Sequence, residues 1–220
     1  MKICVAIPTH KPDLKDLERC LVSIENQTRK PDIVSISASS CTEEDLESLH
    51  LTKYLFQIIH ICTPNSQNAA QNRNCAAKLV EDKDIDIICF FDSDDEMLPE
   101  RLEYLEKAFS ETFSKLIVHN FIHITNPEQK IERSQNFTEY SVFPNVIISN
   151  GWGCRVNFEE CDKNFAHGHV STLYSIWKEM PFREEPSFLY REDAEFCRAI
   201  ASKYIECSYI QTQLSVYHQY

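Results

Sequence analysis

The feature that most restricts the fold is a run at residues 85–91 that is apolar except for Asp86 and leads directly into a cluster of aspartates. A run of this length suits a strand that is buried on both faces, as in a parallel sheet. Upstream of it, strand-like and helical patterns alternate. The strand-like runs are residues 3–7, 33–37 and 55–62, and the helical patterns are residues 13–26 and 67–81. This alternation predicts an α/β fold with a mostly parallel central sheet flanked by helices.

The second half of the chain has a less regular pattern. A helix is predicted to begin at Pro99. Residues 116–124 and 205–217 are strand-like, residues 142–148 fit a strand or a loop, residues 151–164 fit a mobile loop, and residues 191–204 return to helical spacing. Because no linker or repeat divides the chain, a single domain is expected.

The composition argues against several classes of function. The formal net charge is −12 and the basic residues are scattered, so nucleic-acid binding is not expected. The three glycines, Gly151, Gly153 and Gly168, are too few for a glycine-rich phosphate loop. No apolar run approaches the roughly 20 residues that span a bilayer, so no membrane span is expected.

The ten cysteines follow no metal-binding or disulfide spacing. Six of them lie in apolar segments and are predicted to be buried, reduced thiols: Cys4, Cys20, Cys62, Cys75, Cys89 and Cys197. The sequence begins with a strand-like run and shows no signal-peptide pattern. These observations predict a cytoplasmic protein.

The acidic cluster Asp92, Ser93, Asp94 and Asp95 follows the buried strand and precedes the helix at Pro99. In parallel sheets, ligands bind beyond the carboxyl ends of the strands, where this cluster lies. Three neighbouring carboxylates repel one another, so the arrangement is costly unless a cation lies among them. Their oxygens suit Mn²⁺ or Mg²⁺, which commonly bridge a protein carboxylate to a diphosphate. Alternatively, the aspartates cap the following helix.

A second acidic motif, Glu192 and Asp193, opens the helical pattern near the end of the chain. A carboxylate there can act as a general base toward an alcohol if the alcohol lies within hydrogen-bond reach. The alternative is structural, because acidic residues are favoured in the first turn of any helix by the helix dipole.

Five motifs along the chain, taken together, point to one family. They are VAIPTHK at residues 5–11, RCLVSIENQT at 19–28, AAQNRNCAA at 69–77, FFDSDDEMLP at 90–99 and RED at 191–193. In this order and spacing they resemble the family 2 glycosyltransferases of the GT-A fold. The resemblance extends from residue 1 to about residue 109 and returns around residues 191–196.

This resemblance implies roles for particular residues. Residues 1 to about 110 would form the nucleotide-sugar donor half, and residues 111–220 the acceptor half. Asp92 and Asp94 match the DxD motif, and Asp193 matches the catalytic base, with Glu192 beside it. The expected donor-binding residues are Pro8, Thr9, Ser37, Arg73, Asp92 and Ser93.

Two departures from the family pattern concern the donor pocket. The family usually has an Asp-Asp-Gly-Ser stretch after the second strand, and its acid contacts the base or ribose. This chain has serines there, at Ser37, Ser39 and Ser40, whose hydroxyls can replace part of that contact. The family's glycine ahead of residues 69–77 is also missing. The sequence therefore predicts an altered donor pocket.

Three histidines and one tryptophan complete the candidate site. His218 lies where some GT-A enzymes place a metal-binding histidine, so the expected metal ligands are Asp94, Asp92 and His218. The alternative for His218 is a surface residue in a tail. His167 and His169, on either side of a glycine, are candidates for binding the acceptor or a phosphate. Trp152 is a candidate for stacking on a sugar ring or, equally, for anchoring a loop.

The expected function is metal-dependent, inverting transfer of a sugar from a nucleotide diphosphate sugar, a UDP-sugar first among them. The acceptor is a hydroxyl of a glycan or of another molecule. The cofactor is Mn²⁺ or Mg²⁺. One alternative is a catalytically inactive relative that binds nucleotide or glycan. Another is a phosphatase of the haloacid dehalogenase type, which the sequence favours less because Glu96 stands where that family usually has threonine or valine.

Overall fold

A mixed central sheet organises the molecule. The computed structural model describes residues 1–160 and 162–220, with only the backbone of Pro12, and over these residues the sheet contains nine strands. The eleven strands of this part of the chain are β1 (Ile3–His10), β2 (Ile33–Ser39), β3 (Gln57–Thr63), β4 (Ile87–Phe90), β5 (Glu96–Met97), β6 (Leu116–Ile124), β7 (Val142–Phe143), β8 (Ile147–Ser149), β9 (Cys154–Val156), β10 (Ser171–Leu173) and β11 (Cys207–His218).

The helices lie mostly between these strands in the sequence. The α-helices are α1 (Leu14–Glu25), α2 (Glu43–Glu47), α3 (Ala69–Lys78), α4 (Arg101–Thr112), α5 (Tyr174–Glu179) and α6 (Glu192–Lys203). Short 3-10 helices cover Lys11–Asp13, Leu51–Lys53, Gln135–Phe137, His167–His169 and Pro186–Phe188. None of the helices in the described residues is long and apolar enough to cross a membrane.

The sheet has a parallel half and a mixed half. Its strand order is β3-β2-β1-β4-β10-β6-β11-β5, and β7 also pairs with β11. Strands β1 to β4 pair in parallel, as predicted. Strand β10 then runs antiparallel between β4 and β6, while β6 and β11 are parallel to each other. The predicted α/β arrangement is therefore present.

Both faces of the sheet are covered by helices, which explains why β1 and β4 are apolar along most of their length. Helices α1 and α4 pack on one face through residues such as Leu17 and Leu105. Helices α3, α5 and α6 cover the other face through residues such as Ala76, Trp177 and Phe196. As a result the sequence pattern of these strands is continuous rather than alternating.

Two expectations from the sequence are corrected. The predicted loop at residues 151–164 contains β9, which pairs antiparallel with β8 and buries Cys154 and Val156, so the prediction was wrong for this segment. Among the cysteines predicted to be buried, Cys62 and Cys75 are only half-buried. The other four are buried.

Candidate active site

A cavity of about 420 Å³ lies at the carboxyl edge of the parallel strands. Because β1, β2 and β4 run in the same direction, the residues that follow them meet at this edge. The cavity is lined by Pro8, Thr9, His10, Asp13, Ser39, Ser66, Gln67, Ala69, Asn72, Arg73, Asp92, Ser93 and Asp94. Of the six donor-binding residues expected from the sequence, all but Ser37 are in this lining. We call this space the donor cavity.

Ser37 lies just before the cavity along β2. It is in the middle of β2, opposite Pro8 and Ile61, and is fully buried. Its hydroxyl has no hydrogen-bond partner among the described residues. Ser39, two positions further along the same face of the strand, lines the cavity instead.

Arg73 connects the two acidic motifs. Helix α3 begins after the cap residue Asn68, whose side chain exchanges hydrogen bonds with Gln71, and this start places Arg73 under the cavity. The buried guanidinium donates from Nη2 to Asp92 Oδ1 at 2.7 Å and from Nη1 to Glu192 Oε1 at 2.6 Å. Burial alone would lower the pKa of Arg73, but the charges of Asp92, Asp193 and Glu192 raise it, so the cation persists.

Gly168 closes over the carboxylate of Asp92. A Cβ atom at this position would lie 2.6 Å from Asp92 Oδ2 and 3.4 Å from Arg73 Nη2. Any side chain here would therefore displace the carboxylate or the guanidinium. The glycine is required by close approach and not by an unusual φ angle.

Asp95 is held from two sides in the interior. Its Oδ1 accepts a hydrogen bond from the backbone N–H of His218 at 2.8 Å, and its Oδ2 lies 2.6 Å from His169 Nε2. The other ring nitrogen of His169 lies 2.8 Å from Ser215 Oγ. Burial and the charge of Asp92 raise the pKa of Asp95 to about 8, and burial lowers the pKa of His169 to about 3. Burial thus disfavours the charged form of both partners in this pair.

His169 is therefore buried and supports the acidic cluster. From the sequence it was instead a candidate for contact with the acceptor or a phosphate. This placement corrects that expectation. Its backbone carbonyl also accepts a hydrogen bond from Arg101 Nη2 at 3.0 Å.

Arg101 and His119 continue this hydrogen-bond network deeper into the core. Neither residue was predicted from the sequence. Arg101 is fully buried, and its Nε donates to His119 Nε2 at 2.9 Å. Burial lowers the pKa of Arg101 to about 10. A signal was present in the sequence, because Arg101 stands four residues before Leu105 and so shares the apolar face of α4.

Asp94 differs from its neighbours because its side chain is exposed. Partial desolvation and the charges of Asp95 and Asp92 still raise its pKa to about 7. Arg19 donates a hydrogen bond to its backbone carbonyl, which fixes the turn while leaving the carboxylate free.

The residues that could hold a metal ion can be read from these positions. Within the described part of the chain, Asp92, Asp95 and His169 are a set whose ligand atoms all lie within 4.8 Å of one another. In that set, Asp95 and His169 are already bonded to each other. Asp92 and Asp94, by contrast, both face the cavity, and their oxygen atoms are the ligands that Mn²⁺ and Mg²⁺ prefer. His218 lies beside this cluster, with Nε2 2.8 Å from Glu96 Oε1 and with Nδ1 buried and unpartnered among the described residues.

Asp193 lies in the first turn of α6 and is half-exposed. Its Oδ1 accepts a hydrogen bond from the backbone N–H of Ala194 at 2.6 Å. Its charge acts on Arg73 and on His169, which places it at the same end of the sheet as Asp92. Glu192 is buried and bound to Arg73, so only Asp193 of this motif has a carboxylate open to solvent.

His167 and Trp152 lie outside the donor cavity as the structure describes it. Burial would lower the pKa of His167, but the adjacent thiol of Cys154 raises it. Trp152 is 70% exposed, and the guanidinium of Arg191 lies 5.2 Å from its ring centre. Trp152 therefore contacts the segment that leads into α6.

Comparison with known proteins decides the family. The family model described as Glycosyl transferase family 2 matches residues 4–194. The chain belongs to this family. The family predicted from the order of the motifs is thereby confirmed, and with it the general class of glycosyltransferases. No curated protein sequence matches this family 2 chain significantly.

Solved structures with the same fold include those of TarS from S. aureus. Residues 1–349 of TarS in complex with UDP give a TM-score of 0.69 at 16% identity, over 99% of this chain and 60% of that one. The complex with UDP-GlcNAc gives 0.70 at 15%, over 100% and 59%. A longer TarS structure gives 0.68 at 17%, over 99% and 37%. The family 2 chain thus spans about 60% of the length of the shorter TarS chains, and the predicted GT-A fold is confirmed.

Proposed function

We propose that this family 2 glycosyltransferase moves a sugar from a UDP-sugar to an acceptor hydroxyl with the help of a divalent cation. The observation that carries the proposal is the double ion pair of Arg73 with Asp92 and Glu192. Two acidic motifs that are about 100 residues apart in the sequence are joined by one guanidinium at the carboxyl edge of the sheet. A donor site and a base site are therefore adjacent.

The donor cavity is assigned to the nucleotide diphosphate. Its acidic end, Asp92 and Asp94, would hold Mn²⁺ or Mg²⁺, and the cation when bound would stabilise negative charge on the departing diphosphate. Its other end is lined by neutral polar residues, among them Thr9, Ser39 and Asn72, which suit a base and a ribose. The structures of TarS with UDP and UDP-GlcNAc support a uridine nucleotide as the donor.

Asp193 is assigned as the general base. An ionised carboxylate takes the proton from the acceptor hydroxyl as that oxygen attacks the anomeric carbon. With this base on the face opposite the leaving group, as the family resemblance implies, the configuration of the transferred sugar would be inverted. Glu192 is assigned a positioning role, because its carboxylate is occupied by Arg73.

A catalytically inactive relative is the second candidate, favoured by the serines that replace the family's acidic stretch after β2. The phosphatase alternative does not fit the family match. None of the nine described cysteines forms a disulfide bond, which supports the predicted cytoplasmic location. The division into a donor half at about residues 1–110 and an acceptor half at about 111–220 remains part of the proposal.

The test is a thermal-shift panel of UDP, GDP, dTDP and CMP and their sugar conjugates, with and without Mn²⁺. A ligand at 100 times its Kd stabilises the fold by about 2.7 kcal/mol. We expect a shift for UDP and a UDP-sugar that requires Mn²⁺.

The Asp92→Asn variant should lose the Mn²⁺-dependent part of this shift, whereas Asp84→Asn, at an exposed site outside the cavity, should keep it. Binding of UDP-sugar without release of UDP in the presence of acceptors would support the inactive relative. No shift for any nucleotide would contradict the proposed donor class.

A further inference from the structure

A second cavity of about 480 Å³ adjoins the donor cavity. One wall is the start of α3, and the other is the segment of residues 183–192, which leads into α6. The two cavities share Ser66, Gln67 and Ala69, so they form one continuous cleft. We call the second space the side cavity.

Arg73 links residues that line the two cavities. Its Nη2 group binds Asp92, which lines the donor cavity, and its Nη1 group binds Glu192, which lines the side cavity. Asp193, the proposed base, is the next residue after Glu192. The side cavity therefore adjoins the proposed base through Glu192, although Asp193 is not in the lining of either cavity as the structure describes it.

Tyr190 lies at the mouth of the side cavity, and both its exposure and its backbone conformation are unusual. Its side chain is 94% exposed, and its φ angle is 75°, in the left-handed region that non-glycine residues rarely adopt. Leu189 beside it is 42% exposed. Strain of this kind persists where the surroundings enforce it, and it concentrates at functional sites.

Cation–π contacts to Phe188 hold the segment around Tyr190. The guanidinium of Arg183 lies 4.1 Å from the ring centre of Phe188, and that of Arg191 lies 5.3 Å from the same ring. Arg191 also contacts Trp152, which ties the segment to the turn between β8 and β9. The segment is anchored on both sides, and the ring of Tyr190 is left free.

The charge of the side cavity is negative. Its lining contains the carboxylates of Glu184, Glu185 and Glu192 and one guanidinium, that of Arg183. Arg183 is already paired with Glu185 at 3.1 Å, and Glu192 is paired with Arg73 at 2.6 Å, so Glu184 is the carboxylate of this lining that has no cationic partner among the described residues. A phosphate or carboxylate on a ligand would thus meet like charge, whereas sugar hydroxyls can donate hydrogen bonds to the carboxylate oxygens.

We propose that the side cavity binds an uncharged sugar ring of the acceptor, which stacks on Tyr190 and donates its hydroxyls to the acidic lining. This inference rests on the proposed glycosyl transfer and deepens it by naming the acceptor class. An apolar C–H face and a rim of hydroxyls match an exposed aromatic ring next to carboxylates. Acceptors that carry phosphate or uronic acid groups would meet the like charge of Glu184.

The experiment measures UDP release from a UDP-sugar with p-nitrophenyl glycosides as acceptor probes. The neutral probes are the β-glucoside, β-galactoside and β-N-acetylglucosaminide, and the anionic probe is the β-glucuronide. Three variants are compared with the wild type: Tyr190→Ala, Tyr190→Phe, which keeps the ring, and Ile205→Ala, a matched exposed apolar site elsewhere.

We expect a neutral probe to raise the rate of UDP release and the glucuronide to leave it unchanged. The Tyr190→Ala variant should raise the KM for the neutral probe by about three- to tenfold, in line with the strength of aromatic contacts. The KM for the UDP-sugar should stay the same, and Tyr190→Phe and Ile205→Ala should behave as the wild type.

The results that would contradict the proposal can be distinguished from one another. A rise in the KM for the donor with no change in that for the acceptor would overturn the assignment of the side cavity to the acceptor. Preference for the glucuronide, or no stimulation by any neutral probe, would overturn the acceptor class. A failure of the proposed function itself would be seen in a different measurement: calorimetry would detect no binding of UDP-sugar to the wild type.

Discussion

The acidic cluster after β4 and the segment before α6 meet across Arg73, yet they are built in opposite ways. Asp92 and Asp95 are held by Arg73, Gly168, His169 and the backbone of His218. Residues 183–191 are largely exposed and are anchored through stacked side chains. Asp193, which follows them, has a free carboxylate oxygen that no described hydrogen bond occupies.

This difference suits a site whose two ligands differ in kind. A diphosphate with its cation is the same for every member of a donor class, so a rigid, preorganised set of carboxylates lowers the cost of binding it. The acceptor is the variable partner, and an exposed segment can change without disturbing the core. Substitutions on the two sides should therefore fail in different ways.

The largest effect is expected at Asp193. Replacing it by asparagine removes the proposed proton acceptor while keeping shape, so kcat should fall by roughly a hundredfold to ten-thousandfold. Because Asp193 forms no ion pair with a described residue, the melting temperature and the Kd for UDP-sugar should hardly change. Steady-state kinetics together with calorimetry check this, and an equal loss of donor binding would refute the assignment of a general base.

An intermediate effect is expected on the acidic side, from Gly168→Ala. The added Cβ would approach Asp92 Oδ2 to 2.6 Å, so the carboxylate must move. Changes around metal-binding groups typically cost about 10- to 100-fold in affinity, and we expect a loss of this size in the Kd for Mn²⁺.

The matched control for this substitution is Gly151→Ala. Gly151 has a φ angle of 87° but open space around its Cβ position, so alanine there should lower stability through backbone strain alone. Titration of both variants with Mn²⁺, followed by calorimetry, separates the two causes. If both weaken Mn²⁺ binding equally, contact with Asp92 is not the reason.

The smallest effect is a dependence on pH. The pKa of Asp94 is raised to about 7 and that of Asp95 to about 8, so the folded protein without metal holds protons that the unfolded chain has released. Stability from these groups is therefore lost as pH rises through 7 and 8. Metal binding needs ionised carboxylates, so Mn²⁺ affinity should instead rise with pH, by up to about tenfold per unit below pH 7.

Melting temperatures between pH 6 and 8, with and without saturating Mn²⁺, measure both trends. We expect a decline without the metal and a smaller decline or a rise with it. Parallel curves would mean that Asp94 takes no part in holding the cation.

The parallel half of the fold was predictable from the sequence because each strand and helix there has its own local pattern. The boundaries shifted by a few residues where caps intervened, as at Asn68, which starts α3 two residues later than the helical spacing suggested. The antiparallel strand β10 was missed because it is three residues long and is defined by its neighbours β4 and β6. So short a segment carries no period that a sequence pattern can reveal.

The sequence offered acidic candidates for the site but gave no sign of the buried residues that support them. Asp92, Asp94 and Asp193 stand out because carboxylates cluster in the sequence. The pairing of Arg101 with His119, by contrast, depends on contacts that only folding creates. Which of the serines Ser37, Ser39 and Ser40 lines the cavity could not be predicted, since it depends on where along β2 the sheet edge falls.

The double ion pair of Arg73 has a further consequence. A cation bound at Asp92, as proposed, would compete with the guanidinium for the same carboxylate and would leave Arg73 to Glu192 alone. By thermodynamic reciprocity, a ligand whose binding changes the contact between Arg73 and Glu192 would change the affinity for that cation by the same factor as the cation changes the affinity for the ligand. Arg73 would thus couple the two ends of the cleft, so that binding at one end changes the affinity at the other.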